Sequence, residues 1–473
     1  PGHRAPATPL ATTEIAIIAQ AVTAGSAAST PEFANTLLAG TSADGAVAPF
    51  ELDMAGLRVP PADLKEALPQ QLLLLRAALQ LGSAIEQLPR ERTSVLVGMQ
   101  CDAEIARYCL RWRRDGVEAG RATHSALTAA AVLGCMPNVV TNRLSNQFDW
   151  KGPSFSVSAD EASGTIALEL AARALRAHEI DAAVVGAVDL SCEPIHSRAA
   201  GQLPAGRRTP GDAAVLLVLK RLDDARRDGD PVLAVLTAPT TTPGVSLQLD
   251  ADHTGLTALF GHAHAASGLL HVAAAIVACE RRALPPREGR PAMPWLPLEG
   301  ERHAVVAVTA LGGTRSTTHL RPASPASAWP AATSPRLAVF TAADMDGLIA
   351  AVATGDRSGD RTGTFRLAIV APGADELAAR IDHATRLLRM RRGESTRTAT
   401  LDEGIFFGTG PLQGELAFVF TGPAGGYAGM GRELALALPE LVDSLAVRAR
   451  SLRDAAGWIY EQPPTFVPAP DQK

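Results

Sequence analysis

Hydrophobic positions along the chain follow two alternating rhythms. TEIAIIAQAV (13–22), RTSVLVGM (92–99), IDAAVVGAVDL (180–190), DAAVLLVLKRL (212–222), PVLAVLTA (231–238) and HAVVAVTAL (303–311) are short, nearly continuous apolar runs, the pattern of strands buried on both faces, and SFSVSA (154–159) reads as a further short strand. Between them, QQLLLLRAALQLGSAIEQL (70–88), ASGTIALELAARALRAHE (162–179) and HAHAASGLLHVAAAIVACERRAL (262–284) place apolar residues at helical spacing. Residues 154–190 read as one βαβ unit whose helix runs about five turns. The alternation predicts an α/β fold with parallel sheets covered on both sides by helices. DAAVLLVLKRL and PVLAVLTA, on either side of the charged DDARRDGD, read as paired strands.

RPASPASAWPAATSP (321–335) is rich in proline, alanine and serine and reads as a linker. Beyond it RLAVFTA, ADMDGLIAAVATG, FRLAIVAP, ADELAARIDHATRLLRM and EGIFFGTG predict a small β-α-β-α-β module, with RRGESTRTATLDE (391–403) as a surface loop. ELAFVFTGPAGGYAGMGRELALAL (415–438) reads as a strand, a glycine-rich turn and a helix, and EQPPTFVPAPDQK as a flexible tail. Three regions are therefore expected, at 1–325, 326–413 and 414–473.

Composition narrows the function classes. The net charge of -5 gives no electrostatic footprint for nucleic acid or an anionic membrane, and the arginines are scattered rather than clustered. No apolar run reaches the roughly 20 residues of a spanning helix. The five cysteines (101, 109, 135, 192, 279) show neither CxxC pairing nor disulfide spacing, and the start carries no secretory leader pattern. A reduced, cytoplasmic protein is expected, with no metal site and no cofactor of its own.

One stretch carries candidate chemistry. FSVSADEASGTIAL (155–168) has the strand–tight turn–helix shape that presents a nucleophile, yet the tip holds Glu161. The carboxylate has three readings: a cap on the helix beginning near Ala162, where the dipole favours an anion by about 0.3–1 kcal/mol; a filler of an acyl pocket that mimics a bound carboxylate; or a participant in malonyl decarboxylation.

GPSFSVSADEASGTIALELAARALRAHEIDAAVVGAVDL resembles the nucleophile segment of the β-ketoacyl synthases, the condensing enzymes of fatty-acid and polyketide assembly. GHAHAASGLLHVAAAIVACERRALPP resembles the family's second histidine helix, and AVTALGGTRSTTH its glycine-glycine-threonine turn. The likeness runs over most of residues 13–325 and implies the thiolase fold, a layered α-β-α-β-α arrangement of two duplicated halves, followed by a small α/β linker domain. The departures are as informative. Glu161 stands where the family has its active cysteine, so no thioester can form there. His262 matches the second family histidine, but the first histidine motif is missing; His253 in DHTGLT echoes it only superficially. Thr257 stands where the family has a lysine, and His264 and His271 match no family role. No catalytic residue is therefore expected.

Members that keep this fold without the cysteine are known as chain length factors, which pair with an active ketosynthase. The resemblance thus implies a non-condensing chain length factor that forms a heterodimer with an active ketosynthase domain and helps set acyl chain length. Phosphopantetheine-bound acyl chains on acyl carrier protein would be handled by the complex. TAAAVLGCMPNVVTNRLSNQFDWKGPS matches the family's interface segment, and Leu133, Met136, Asn138 and Tyr108 are the candidates for lining the partner's tunnel; singly, each is also explained by core packing. The module at 336–410 resembles the spacer between ketosynthase and acyltransferase domains. ELAFVFTGPAGGYAGMGREL resembles an acyltransferase start whose usual glutamines are replaced by GPAGG (422–426). An acyltransferase domain is accordingly expected as a further partner, and the arrangement looks most like a polyunsaturated fatty acid synthase, with a polyketide synthase as its rival. The alternatives are a malonyl-decarboxylating or priming enzyme and a purely structural scaffold.

Overall fold

The computed structural model describes residues 13–100, 128–239, 246–250, 255–286, 291–296, 302–323, 336–357, 363–392, 398–410, 415, 427 and 429–448. The chain divides into two compact units, residues 1–329 with 428–473, and residues 330–427.

In the first unit the runs read as strands become β1 (Ile15–Ala24), β2 (Thr93–Gly98), β3 (Ser154–Val157), β4 (Ala182–Leu190), β5 (Asp212–Arg221), β6 (Ala234–Leu236) and β8 (His303–Thr309), and two strands that the apolar pattern did not mark join them, β7 (Ser246–Asp250) and the largely polar β9 (Arg315–Pro322). They form one sheet in the order β3-β2-β4-β5-β1-β6-β9-β8-β7. The sheet is mixed rather than parallel. β2 runs parallel to β3 and β4, and β7 parallel to β8, whereas β1, β5, β6 and β9 pair antiparallel. Strands buried on both faces show the same apolar run in either direction, so the sequence pattern does not separate the two cases.

β5 and β6 are not partners either. β1 lies between them, pairing Ala24↔Ala213 through Ile15↔Arg221 on one edge and Ile15↔Leu236 through Ile17↔Ala234 on the other. The charged segment between β5 and β6 folds into a helix, Leu222–Asp228, not a hairpin turn. Lys220 Nζ anchors it by ion pairs to Asp228 (2.5 Å) and Asp230 (2.6 Å).

Helices α1 (Pro69–Gln80), α2 (Ala129–Cys135) and α3 (Val139–Phe148) precede β3, and α4 (Ser163–Arg176) and α5 (His264–Arg281) follow it in the chain. One face of the β1–β5 half-sheet packs on α1 and α3 through Leu73, Leu74, Ala77, Val140 and Leu144. Its other face packs on α4 and α5, and these helices also meet Ala304, Val306, Val308 and Leu320 of the β6–β9 half. α4 and α5 are thus a central layer between two half-sheets. The far face of the second half departs from the doubly covered expectation. Along β8, Ala304, Val306 and Val308 are buried, while His303, Val305, Ala307 and Thr309 are half-buried. Val305 and Ala307 made that run look buried on both sides, although their face also carries His319 and Thr317 of β9 as cross-strand partners.

Residues 428–448 belong to this first unit. Helix α8 (Pro439–Arg448) sets Val442 against Leu296. Its Asp443 pairs with Arg302 Nη1 (2.6 Å) and Arg282 Nε (3.4 Å), two guanidinium groups that are otherwise buried. Between α5 and α8 in sequence, the second unit is an antiparallel sheet of β10 (Arg336–Ala342), β11 (Phe365–Ala371), β12 (Thr398–Asp402) and β13 (Ile405–Thr409), ordered β10-β11-β13-β12. β12 lies where a surface loop was expected; its polar residues suit the edge position it takes. α6 (Met345–Thr354), capped by Asp344 Oδ1 accepting Gly347 N–H at 2.7 Å, and α7 (Ala374–Met390) cover the face that carries Phe340, Leu367, Ile369 and Phe407.

Close contact between layers rests on glycine at Gly98. A Cβ there would lie 2.4 Å from the backbone nitrogen of Gly164 and 2.6 Å from the carbonyl carbon of Ser163 on α4. Gly98→Ala is expected to lower stability by about 1–3 kcal/mol through overpacking. Gly201→Ala, whose added methyl meets nothing within 4 Å, should change it by less than about 0.5 kcal/mol. Denaturant midpoints of the two variants test this, and equal midpoints would refute it.

Candidate functional site

The elbow forms as its sequence predicts, and its geometry explains the tip residue. β3 ends at Val157, Asp160–Ala162 make a single tight helical turn, and α4 begins at Ser163. Asp160 has φ 49°, a left-handed conformation that aspartate tolerates better than most residues. Ser163 Oγ locks the turn, accepting from Ala159 N–H (2.9 Å) and donating to the Asp160 carbonyl (2.6 Å). α5 presses on the elbow from behind, so close that a Cβ at Gly268 would lie 2.6 Å from the Glu161 carbonyl oxygen.

Glu161 does not cap α4. Its carboxylate turns inward and is 1% exposed, and three segments distant in sequence meet it. Oε2 accepts the Leu311 N–H at 2.8 Å, from the turn that joins β8 to β9. Oε1 stands 2.6 Å from Arg207 Nε, on the short turn Ala205–Arg207 before β5. His262 Nε2 is 3.7 Å and His264 Nδ1 3.9 Å from the same oxygen. Arg207 is itself held by donating Nη2–H to the Thr309 carbonyl (2.8 Å), and Asp160 Oδ2 accepts from Gly312 N–H (3.0 Å). Two adjacent carboxylates therefore fill two adjacent backbone donors. An elbow of this shape would use such donors for a developing oxyanion. Here Leu311 N–H is already engaged by the side chain at the tip.

The histidines are placed by backbone. His262 N–H donates to the Thr209 carbonyl (2.8 Å) and its carbonyl accepts Gly211 N–H (3.0 Å), which pins it beside β5. Its Nδ1 accepts the His264 N–H at 3.3 Å, which assigns the ring hydrogen to Nε2, facing Glu161. The ligand atoms of Glu161, His262 and His264 lie within 4.8 Å of one another, a spacing a metal ion could use. The donor set argues otherwise, because Arg207 already supplies the positive charge and His262 presents a hydrogen. The arrangement reads as an anion hole. His271 lies buried about two helical turns along α5 with Nδ1 on the Ser267 carbonyl (2.8 Å), a structural role, and Thr257 sits in the short helix Leu256–Phe260.

Sequence reasoning missed Arg207 and Asp189. Arg207 lies in AGRRTPGD, a polar turn without periodicity; only the requirement that a buried carboxylate find a cation points to it. Asp189 ends the apolar strand β4 and accepts from Ser191 Oγ (2.8 Å) and Ala265 N–H (3.3 Å), steadying the start of α5. Leu133 (46% exposed), Met136 (39%) and Asn138 lie on the surface around α2, so core packing does not account for them. Val132 (43%) on the same helix and Phe155 (42%) on β3, the edge strand, are further exposed apolar groups. Tyr108 and His253 fall outside the described residues, as do GPAGG and its flanking strand.

Residues 40–225, which carry the elbow, match the model of the beta-ketoacyl synthase N-terminal domain. This part of the chain is similar to a ketosynthase domain. The highly reducing polyketide synthase frbB of Dothideomycetidae sp. (strain 11243) is 32% identical over 225 residues, which are 42% of this chain and 8% of that protein. The non-reducing polyketide synthase ausA of Aspergillus calidoustus is 37% identical over 133 residues, 25% of this chain and 5% of that protein. The chain thus spans less than a tenth of the length of these multidomain relatives. Among solved structures, the oxazolomycin ketosynthase domain OzmH KS7 of Streptomyces albus JA3453 matches with TM-score 0.52 at 19% identity, over 84% of this chain and 90% of that one. The module 6 ketosynthase of the bacillaene synthase of Bacillus subtilis 168 matches with TM-score 0.52 at 17% identity, over 79% and 85%. The ketosynthase-like domain therefore has the layered thiolase-type architecture, and no helix among the described residues is long and apolar enough to cross a membrane.

Burial, followed by the charges of His264, Arg207, His271 and His196, pushes the His262 imidazole down to about 3 from 6.5. The folded state then binds fewer protons than the unfolded one between those values. The stability held by neutral His262 is full above pH 6.5 and drains as pH falls towards 3. Asp189 works in the opposite direction. Burial pushes its carboxyl up to about 6 from 3.8, so it costs stability increasingly as pH rises through that window. His262→Gln is expected to flatten the loss of stability on acidification, and Asp189→Asn to steepen it. Urea midpoints between pH 7 and pH 4 read both slopes, and an unchanged slope in His262→Gln would remove His262 as the cause.

Proposed function

We propose that this chain is a non-condensing chain length factor: a ketosynthase-like subunit that pairs with an active, cysteine-bearing ketosynthase and helps set acyl chain length in polyketide or fatty-acid assembly. The observation that carries the reading is Glu161. It stands at the nucleophile's place, is buried and ion-paired to Arg207, and accepts the backbone donor a thioester oxyanion would need. A carboxylate held this way offers no thiolate to receive an acyl group. A polyunsaturated fatty acid synthase is the narrower setting the reading favours, and the second unit would be the spacer towards an acyltransferase. Acyl carrier protein would bring phosphopantetheine-bound chains to the partner's cysteine, in the cytoplasm.

The exposed apolar groups supply the pairing surface. Val132 and Leu133 project from α2, Met136 lies just after it, and Phe155 projects from β3, whose outer edge has no strand partner among the described residues. An edge strand with an apolar neighbour invites addition of a second sheet edge. In this reading Met136 and Leu133, both exposed, would reach towards a partner's tunnel, and Met is suited to filling an irregular apolar gap. The decarboxylating alternative is disfavoured by charge, because an ionised Glu161 would repel a malonyl carboxylate at the one position where Arg207 could receive it.

Incubation of the purified chain with radiolabelled acyl-carrier protein should leave no covalent label on it, and malonyl-carrier protein should not be converted to acetyl-carrier protein. Labelling or decarboxylation by the chain alone would sink the proposal. In a synthase reconstituted with a cysteine-bearing ketosynthase, Met136→Trp should shorten the products by filling tunnel volume. Unchanged chain length on mass spectrometry would leave the chain a scaffold.

A further inference from the structure

The groups around Glu161 are more informative than the carboxylate alone. Three nitrogens converge on Oε1: Arg207 Nε at 2.6 Å, His262 Nε2 at 3.7 Å and His264 Nδ1 at 3.9 Å, while Leu311 N–H takes Oε2 at 2.8 Å. His262 Nε2 and Glu161 Oε1 are both buried, and neither makes a hydrogen bond of good geometry. The hole is thus polar and positively biased, yet the tethered side chain stops short of the His262 Nε2–H. A free carboxylate, able to slide and turn, would close that gap of 3.7 Å to hydrogen-bond length.

We infer that the elbow of this chain is a binding site for one small carboxylate, acetate in size, which Glu161 occupies from within. The inference rests on the reading of the site given above and names the ligand class it is built for. Acetate is the fragment that Glu161→Ala removes, so it fits the vacated space atom for atom. Arg207 supplies the charge, Leu311 N–H and His262 Nε2–H supply direction, and the aliphatic stem of the ligand replaces Cγ. Formate would underfill the space and propionate would overfill it. A thioester carbonyl, lacking the charge that Arg207 requires, is the wrong chemistry.

The test is chemical rescue of stability. Glu161→Ala should unfold several degrees below the unchanged protein, since a guanidinium and an N–H lose their buried acceptor. Sodium acetate should restore at least half of that loss, with saturation, where sodium chloride at equal ionic strength does not. The unchanged protein should gain nothing from acetate beyond the salt effect, and adding Arg207→Ala to Glu161→Ala should abolish the rescue. If the variant does not fold in chloride, refolding yield replaces melting temperature, and folded protein should appear with acetate. Equal effects of acetate and chloride, full stability of Glu161→Ala, or undiminished rescue without Arg207 would each overturn the inference. These outcomes are separable from acyl labelling of the unchanged protein, which bears on the functional proposal alone.

Discussion

A buried negative charge must be answered locally, and in this fold the answer comes from three places at once. Glu161 lies on the turn ahead of α4, Arg207 on the turn ahead of β5, and Leu311 on the turn joining β8 to β9. The carboxylate therefore ties the two half-sheets together at the end of the central helix pair. Burying an unpaired carboxylate costs several kcal/mol, so the position of each turn is constrained by the others. In a condensing enzyme that corner must stay open to an incoming acyl group. Here side chains fill it, and Glu161, Arg207 and the Leu311 N–H hold one another in place.

The sequence made the scaffold of this site legible and its electrostatics much less so. The elbow was readable because strand, turn and helix each leave a local signature: the short strand SFSVSA, the tight turn at Asp160-Glu161, and helical spacing from Ala162 onward. Arg207 was not readable, because a residue in a polar turn has no periodicity and its partner is chosen only when the sheets assemble. Strand direction failed for a related reason. A run such as AAVLLVLK in β5 is buried on both faces and carries no mark of whether its neighbours are parallel or antiparallel. β8 misled in the other direction, since Val305 and Ala307 are apolar by type while half-buried in place. The surface positions of Leu133 and Met136 likewise depend on how α2 packs on the segment around Glu66 and Leu68, a contact distant in sequence.

Closing the catalytic corner relaxes some constraints and keeps others. Gly98 and Gly268 still need their hydrogen side chains, because the backbones of α4 and α5 approach too closely for a methyl group. Those contacts belong to the layered packing that any ketosynthase-like domain requires, whatever stands at the tip. His262 has a backbone-determined position, and its ring faces the Glu161 carboxylate.

The pairing of Asp443 with Arg282 and Arg302 has a practical corollary for how this chain can be dissected. Because residues 428–448 return to the first unit, the second unit is an insertion within its sequence rather than a module added at its end. A proline-rich stretch at 321–335 invites a cut there, and such a cut would separate two interior guanidinium groups from their common counter-ion. The natural boundary of the ketosynthase-like unit is therefore not a point along the chain but a pair of crossings. An expression fragment that respects only the first crossing would carry an unbalanced positive charge in its interior and a bare apolar surface at Leu296.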